Sequence, residues 1–296
     1  MGLPLTRKAS GGLPTINPTD TDALAGGLGL PHHSDGVLNL TPDSFSDGGV
    51  FDRPERALSQ AGRMLAAGAD VLDLGAQSTR PGAIEVGSEE ELSRLLPVLS
   101  AIRSAHPRAL LSIDTFLAPV AAAALAAGAD WINDVSGGRR DPAMLPLIAA
   151  AGCPYVLMHS RGDSQSMEGL TDYGALGVVE AVHQALQRAT ERALACGVQR
   201  QQLIWDPGLG FAKTTDQNLE LLRGLHRLRG DGIPLLVGPS RKRFIGAVLQ
   251  EPRAKARLWG TAAVVAQCAS AGVEMVRVHD VAPLRQVAQM ADALWR

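Results

Sequence analysis

From Ala57 onward the chain repeats one arrangement of apolar and polar positions. An alanine-rich stretch of helical character is followed by a glycine and then by a short apolar run that ends in a polar residue, as in "AGRMLAAGADVLDLG" and "CASAGVEMVRVHD". Glycine is the residue that most often ends a helix in the left-handed conformation. The repeated unit is therefore predicted to be a helix, a glycine turn and a strand.

Eight apolar runs are predicted to form strands, near residues 37, 71, 111, 131, 155, 203, 235 and 275. Strands that are apolar on both faces and alternate with helices belong in a parallel sheet covered by helices. Eight such units favour an α/β fold of the (β/α)8 TIM-barrel type over an open doubly wound sheet, and no GxGxxG motif follows the first strand. We expect one barrel domain over residues 36–296, preceded by a poorly structured, flexible extension over residues 1–35.

The composition excludes several classes of protein. The formal net charge of -2 at pH 7 argues against a nucleic-acid partner, since such domains usually have a basic excess. Cys153, Cys196 and Cys268 are odd in number, widely spaced and set in apolar surroundings, which favours reduced thiols over a disulfide framework. No signal-peptide pattern or run of about 20 apolar residues is present. We expect a cytoplasmic protein that does not bind membranes.

Polar residues end every predicted strand. They are Asn39, the "STRPG" loop after Leu74, Asp114, Asn133 with Asp134, His159, Asp206, the segment 240–242, and Arg277 with His279. One Asp or Asn at such a place is typical of a cap on the following helix, and His159 with Ser160 fits a site and a scaffold equally well. In a parallel barrel, however, all eight ends meet at the face that carries the active site. Their recurrence favours a functional site.

The residue types at these ends indicate the chemistry of a ligand. Asp114, Asn133 and Asp206 suit the donor-rich edge of a flat heterocycle. Lys242 and Arg277 can contact a carbonyl, stack on a ring or hold a phosphate. A cationic rim is predicted from Arg80, Arg241, Arg277 and His279. A substrate with a polar heterocycle at one end and a phosphate ester at the other would satisfy both sets.

Seven stretches, in order, resemble the dihydropteroate synthase family of the folate pathway. They are "NLTPDSFSDGG", "STRPGA", "SIDT", "INDVSGG", "DPGLGF", "GPSRKRFIG" and "RVHD", and they cover the chain from about Gly36 to its C-terminus. The resemblance implies a homodimeric transferase that condenses 7,8-dihydropterin-6-ylmethyl pyrophosphate with p-aminobenzoate, giving 7,8-dihydropteroate and pyrophosphate. Pyrophosphate would depart first, and the aryl amine would attack the pterin cation that remains.

The resemblance also implies a role for individual residues. The pterin would be bound by Asp114, Asn133, Met158, Asp206, Phe211, Gly238, Lys242 and Arg277. The p-aminobenzoate pocket would comprise Phe45, Thr79, Pro81 and Ser240. The pyrophosphate would be held by Asn39, Thr79, Arg80, Arg277 and His279, with Asn39 as the protein ligand of a Mg²⁺ cofactor. The catalytic set would be Asn39, Arg80, Lys242, Arg277 and His279.

Three alternatives stay open at the level of the sequence. Phe45 in "TPDSFSDGG" fits a ring packed permanently on the barrel rim, but the resemblance favours a lid with Gly48 and Gly49 as hinges. A folate-dependent methyltransferase on a similar barrel should lack both this loop and "STRPGA". A non-catalytic pterin-binding paralogue should have lost Asn39, Arg80 or Lys242, and all three are present.

Overall fold

The computed structural model describes residues 33–39 and 53–295. The strands are β1 (His33–Asn39), β2 (Val71–Gly75), β3 (Leu110–Asp114), β4 (Trp131–Asp134), β5 (Tyr155–Met158), β6 (Leu203–Asp206), β7 (Leu236–Val237) and β8 (Met275–Val278). The helices are α1 (Arg53–Ala66), α2 (Ser88–Ala105), α3 (Ala118–Ala126), α4 (Met144–Ala151), α5 (Gly177–Ala195), α6 (Thr215–Arg223), α7 (Leu225–Arg229), α8 (Arg243–Leu249), α9 (Leu258–Ser270) and α10 (Val281–Trp295).

The eight strands form one parallel sheet that closes on itself. Hydrogen bonding runs in the order β6-β5-β4-β3-β2-β1-β8-β7. The remaining seam, between β6 and β7, is joined where the backbone N–H of Trp205 donates to the carbonyl oxygen of Pro234 at 2.8 Å and Trp205 bridges Leu235. A closed sheet of eight parallel strands, with helices between them, confirms the predicted (β/α)8 barrel.

β1 begins at His33, three residues before the Gly36 at which the sequence indicated the barrel would start. Residues 33–36 pair with Met275–Val278 of β8, while residues 35–39 pair with Val71–Gly75 of β2. Pairing on both sides extends the strand through polar positions that an apolar pattern does not detect. The rest of the predicted extension lies outside the described residues.

Helix α5 shows how a helix covers the barrel through one apolar face. On α5, Val178, Val182, Leu186 and Ala189 recur at intervals of three or four residues and are buried, whereas Arg188 on the opposite side is exposed. This spacing is that of an amphipathic helix. Burying a side chain such as Leu186 contributes about 1.5–3 kcal/mol, so packing on the barrel holds the helix in place.

The barrel interior has an apolar lower layer and a polar upper layer. The lower layer consists of Val71, Trp131, Val156, Ile204, Leu236 and Met275, all buried. Side chains on a strand alternate between faces, so the residue two positions further along each strand also points inward. Those residues are Asp73, Asn133, Met158, Asp206, Gly238 and Arg277. The strands therefore place a polar layer directly above an apolar plug.

Candidate active site

Arg277 on β8 lies at the centre of the polar layer. Its Nε is 3.0 Å from Oδ2 of Asp73 on β2, and its Nη1 is 3.6 Å from Oδ2 of Asp206 on β6. All three side chains are largely buried, where an ion pair is screened much less than at the surface. The two carboxylates orient the guanidinium across the barrel.

Asn133 and Asp114 present polar atoms that no described residue satisfies. The side chain of Asn133 is fully buried, yet neither its Nδ2 nor its Oδ1 has a hydrogen-bond partner within residues 33–39 and 53–295, and the same holds for Oδ1 of Asp114. A buried polar atom without a partner costs about 1–3 kcal/mol. Groups left in this condition at one face of a barrel are suited to hydrogen bonding with a ligand.

Burial raises the pKa of two carboxyl groups of the site, Asp114 at the end of β3 and Asp206 in the polar layer. Burial, together with the negative charge of Asp73, raises the pKa of Asp114 well above its usual value. Burial also raises the pKa of Asp206, although the charge of Arg277 opposes the change. A ligand that donates hydrogen bonds to these groups would stabilise their charged forms.

Lys242 and Phe211 come from two different loops and meet above the polar layer. The Nζ of Lys242 lies 4.5 Å from the centroid of the Phe211 ring, in a cation–π contact. Burial lowers the pKa of Lys242 to about 8, against the favourable charge of Asp206. The amine therefore stays largely protonated at pH 7. The favourable charge comes from Asp206, which was predicted together with Lys242 to bind the pterin.

Lys213 is a residue of this region that sequence reasoning missed. Its Nζ donates to the carbonyl oxygens of Gly208 and Phe211 at 2.9 and 3.0 Å, and it is 3.0 Å from Nδ1 of His159. Burial lowers its pKa to about 7. Lys213 follows the "DPGLGF" stretch by two residues, so a basic residue closing a glycine-rich loop was the available signal.

Gly208 explains why this loop needs a glycine. Its φ is +69°, and a Cβ at this position would lie 1.9 Å from the backbone oxygen of His159. The loop consequently packs backbone to backbone against the end of β5, and the amide N–H of Gly208 donates to Oδ1 of Asp206 at 2.7 Å.

His279 and Ser240 are brought together at the end of β8. The Ser240 Oγ accepts from the backbone N–H of His279 at 3.1 Å and lies 3.0 Å from its Nδ1. Burial, and then the charge of Arg241, lowers the pKa of His279 to about 4. The predicted cationic rim therefore needs correction, because His279 is a neutral hydrogen-bonding group near pH 7.

Arg241, which was also predicted to belong to the cationic rim, is paired with a carboxylate. Its Nε and Nη2 donate to the two carboxylate oxygens of Asp280 at 3.0 and 2.6 Å. Its backbone has a φ of +60°, which is uncommon for a residue other than glycine, and its N–H donates to Oγ1 of Thr261 at 3.2 Å. Arg241 thus shapes the loop that presents Lys242.

The second predicted loop lies at the same face. Thr79 and Phe211 line one small cavity, and the exposed Arg80 is close enough for its charge to lower the pKa of His279. Pro81 is followed by Gly82, whose N–H donates to the Ser164 carbonyl oxygen at 2.7 Å. The predicted phosphate and amine residues of this loop are therefore gathered at one mouth of the barrel.

The capping interpretation holds for some strand-end residues and fails for others. Asp134 accepts from the N–H groups of Ser136 and Gly138 at 2.7 and 2.9 Å and from the Tyr155 hydroxyl at 2.7 Å, so it builds a turn. Asn133 beside it makes no such bond within the described chain. Of this pair, Asn133 is the member that belongs to the polar layer inside the barrel.

Of two residues predicted for the site at the end of β1 and in the loop that follows it, the structure describes one. Asn39 is the last residue of β1 and pairs in register with Gly75, at the same end of the barrel as Asp114. Phe45 lies outside the described residues. Within the described part of the chain, no group of three or more His, Cys, Asp or Glu side chains could hold a metal ion.

Buried polar residues inside a (β/α)8 barrel, at the end of the strands where such barrels carry their active sites, define the class of protein as a barrel enzyme. A model of the pterin binding enzyme family matches residues 35–279 of this chain. The chain belongs to that family.

Several of its relatives are dihydropteroate synthases. The dihydropteroate synthase of Synechocystis sp. is 48% identical over 261 residues, which cover 88% of this chain and 89% of that protein. The solved dihydropteroate synthase of Clostridium difficile, obtained in the presence of pteroic acid, is 40% identical with a TM-score of 0.85, covering 90% of this chain and 97% of that one. That of Xanthomonas albilineans in complex with 7,8-dihydropteroate is 37% identical with a TM-score of 0.80, covering 89% and 94%.

These matches confirm the predicted function, that of a dihydropteroate synthase-type transferase in folate biosynthesis, rather than the methyltransferase alternative. A longer relative, the mitochondrial folate synthesis bifunctional protein of Arabidopsis thaliana, is 41% identical, and the match covers 50% of its length. Across the described residues, none of the helices is long and apolar enough to cross a membrane.

Proposed function

We propose that the polar layer binds the pterin ring of 7,8-dihydropterin-6-ylmethyl pyrophosphate. The observation that supports this most strongly is the fully buried Asn133 amide, which lacks any partner in the described chain. The pterin edge carries both donors and acceptors, so Asn133 can exchange hydrogen bonds with it while Asp114 and Asp206 accept from its N–H groups. Lys242 donates to the ring carbonyl, and Arg277 packs on the ring face.

Phe211, Met158 and Gly238 complete this pocket in our proposal. Phe211 lies under Lys242 and offers an apolar face to the ring. Met158 is buried at the end of β5, and at Gly238 an added Cβ would lie 3.9 Å from the Cβ of Arg277. A flat ring can therefore approach the backbone at β7 more closely than a side chain there would allow.

The pyrophosphate end is assigned to Asn39, Thr79, Arg80, Arg277 and His279. Since His279 is neutral near pH 7, it donates a hydrogen bond to phosphate, and the approach of an anion favours its protonation. Asn39 would hold Mg²⁺ together with phosphate oxygens, because this hard cation commonly takes few protein ligands plus substrate phosphates. Bound there, Mg²⁺ would neutralise the charge that develops on the leaving group.

The amine substrate is placed over the opposite end of the pterin. Thr79, Pro81 and Ser240 border p-aminobenzoate in this proposal, and Phe45 closes over its ring. Pyrophosphate leaves, the amine nitrogen attacks the exocyclic carbon of the pterin cation, and the nitrogen then loses a proton. The protein positions the amine and excludes water, and no covalent nucleophile is required.

Pyrophosphate release tests this proposal and separates it from a non-catalytic pterin-binding paralogue. The protein is mixed with dihydropterin pyrophosphate, with and without p-aminobenzoate and Mg²⁺. We expect one dihydropteroate formed per pyrophosphate released, with both Mg²⁺ and the amine required for steady turnover. Tight pterin binding without any turnover would identify the paralogue instead.

The homodimer and the cytoplasmic location are further proposals. Trp259 at the start of α9 is 77% exposed, and Val248 and Leu249 at the end of α8 are also exposed, which is the kind of apolar surface that protein contacts cover. Sedimentation velocity at micromolar concentration should give the mass of two chains. A single species at the 31.0 kDa of one chain would contradict the dimer.

A further inference from the structure

A second cavity lies outside the barrel, between the loop after β4, the end of β5 and helix α5. Its volume is about 340 Å³, within the range of small-molecule sites. Its floor is formed by apolar side chains that include Leu157, Leu186 and Ala189. Of the residues assigned to substrates above, only Met158 borders it. We call this cavity the α5 cleft.

Four arginines line the α5 cleft, and no Asp or Glu does. They are Arg139, Arg161, Arg188 and Arg192. Twelve salt-bridge contacts join other residues of the described chain, and none of them involves these four guanidinium groups. In a protein whose net charge is -2, so dense a group of arginines without salt-bridge partners, with only the buried Asp134 acting on Arg139 from nearby, favours an anion.

The four arginines repel one another, and a bound anion would offset this electrostatic repulsion. Arg188 and Arg192 are four residues apart on α5, a spacing at which like charges destabilise a helix. Desolvation, followed by the charge of Arg192, lowers the pKa of Arg139. No described residue accepts a hydrogen bond from the side chain of either Arg188 or Arg192, so both guanidinium groups can turn toward a ligand.

The other two arginines are held in position by their neighbours. Arg139 donates through Nε to the backbone oxygen of Ser136 and through Nη2 to the Ser160 hydroxyl, each at 2.7 Å. The guanidinium of Arg161 lies 3.8 Å from the centroid of the Tyr173 ring. Two guanidinium groups held by their neighbours and two without hydrogen-bond partners in the described chain therefore line one cavity, together with apolar side chains.

We propose that the α5 cleft binds a small organic anion with two or more phosphate or carboxylate charges on an apolar or aromatic body, separately from the substrates of the barrel. Guanidinium groups bind phosphate and carboxylate through paired N–H donors, and the floor accommodates the uncharged part. Because the arginines on α5 are exposed, the affinity falls as salt is added.

Calorimetry with ATP in the absence of metal tests the proposal, with inorganic triphosphate and adenosine as further probes. We expect binding of ATP, weaker binding of triphosphate, which lacks the aromatic body, and none of adenosine. The double variant R188Q/R192Q should weaken ATP binding at least about tenfold. Dihydropteroate formation should be unchanged, since both residues are exposed on α5 and neither is assigned to a substrate.

The matched control is R108Q/R223Q, which removes the same charge from two exposed arginines whose side chains form no hydrogen bond or ion pair within the described part of the chain. It should bind ATP like the parent. Equal weakening in both double variants would reduce the effect to net charge and overturn the proposal. Unchanged affinity in R188Q/R192Q, or no binding of ATP by the parent at millimolar concentration, would also overturn the proposal. A third variant, R80Q, tests the active site: if ATP affinity is lost only in R80Q, the anion binds there and the proposal is wrong.

Discussion

Replacing Glu91 with glutamine should stabilise the protein above neutral pH. Glu91 lies in the first turn of α2 and is 1% exposed. Burial raises its pKa from 4.5 to about 7, and the Thr115 hydroxyl and the Arg94 guanidinium offset only part of this effect. Glu91 also adds to the negative charge that raises the pKa of Asp114, so the substitution links the scaffold to the site.

The sign and size of the effect follow from linkage. The folded protein binds this proton more tightly than the unfolded chain, so the stability falls as the pH rises from 4.5 to about 7. One pKa unit corresponds to about 1.4 kcal/mol, so a pKa raised from 4.5 to about 7 corresponds to about 3 kcal/mol at most. Glu91→Gln should therefore gain up to this amount at pH 8 and almost nothing near pH 4.5.

Urea unfolding at pH 4.5 and pH 8 measures the difference directly. The control is Glu90→Gln, on the same turn, since Glu90 is exposed and pairs with Arg94 at 2.8 Å. Such a surface pair contributes about 0–1 kcal/mol, and its removal should show no comparable gain at pH 8. A Glu91→Gln variant that is less stable at pH 8, or equally stabilised at both pH values, would refute the reasoning.

Three further predictions concern the loops of the site. Asn39→Ala should raise the Mg²⁺ concentration needed for half-maximal turnover while free pterin still binds; superimposable metal titrations would make Asn39 a plain strand-end residue. Lys213→Met removes hydrogen bonds to the carbonyl oxygens of Gly208 and Phe211 and should lower the free energy of unfolding in urea by about 2–3 kcal/mol. An unchanged urea midpoint would show that Lys213 does not stabilise this loop. Phe45→Ala should raise the KM for p-aminobenzoate about tenfold and leave pterin affinity intact, and equal losses for both substrates would argue against a lid.

The barrel could be predicted from the sequence because many of its strands are marked twice. A glycine ends many of the preceding helices, as Gly152 does for α4 with a φ of 67°, and an apolar run follows. The start of β1 was placed too late because His33, Ser34 and Asp35 are polar and join the sheet through backbone pairing with β8. Backbone pairing leaves little trace in an apolar pattern.

The site could be predicted where a polar residue ends a strand, as for Asn133 and Asp206. Asp73 was missed because it lies two residues before the end of β2, although an Asp inside an apolar run is itself unusual. Two other features depend on residues that are 39 positions apart in the sequence: the contact of His279 with Ser240 and the pairing of Arg241 with Asp280. A single sequence does not show which distant residues lie next to each other in the fold. The α5 cleft was missed for the same reason, since three separate segments supply its arginines.

The most direct test of the pterin site is the affinity of Asp206→Asn for dihydropterin pyrophosphate, measured by calorimetry without p-aminobenzoate. Asparagine keeps an oxygen that can accept from the Gly208 N–H, but it removes the charge that faces Arg277 and that we propose accepts from the pterin. A hydrogen bond to a charged group contributes about 1.5–3 kcal/mol, so the account predicts that binding weakens by about 10- to 100-fold. An affinity equal to that of the parent, in a variant that unfolds at the same urea concentration, would contradict the assignment of the polar layer to the pterin.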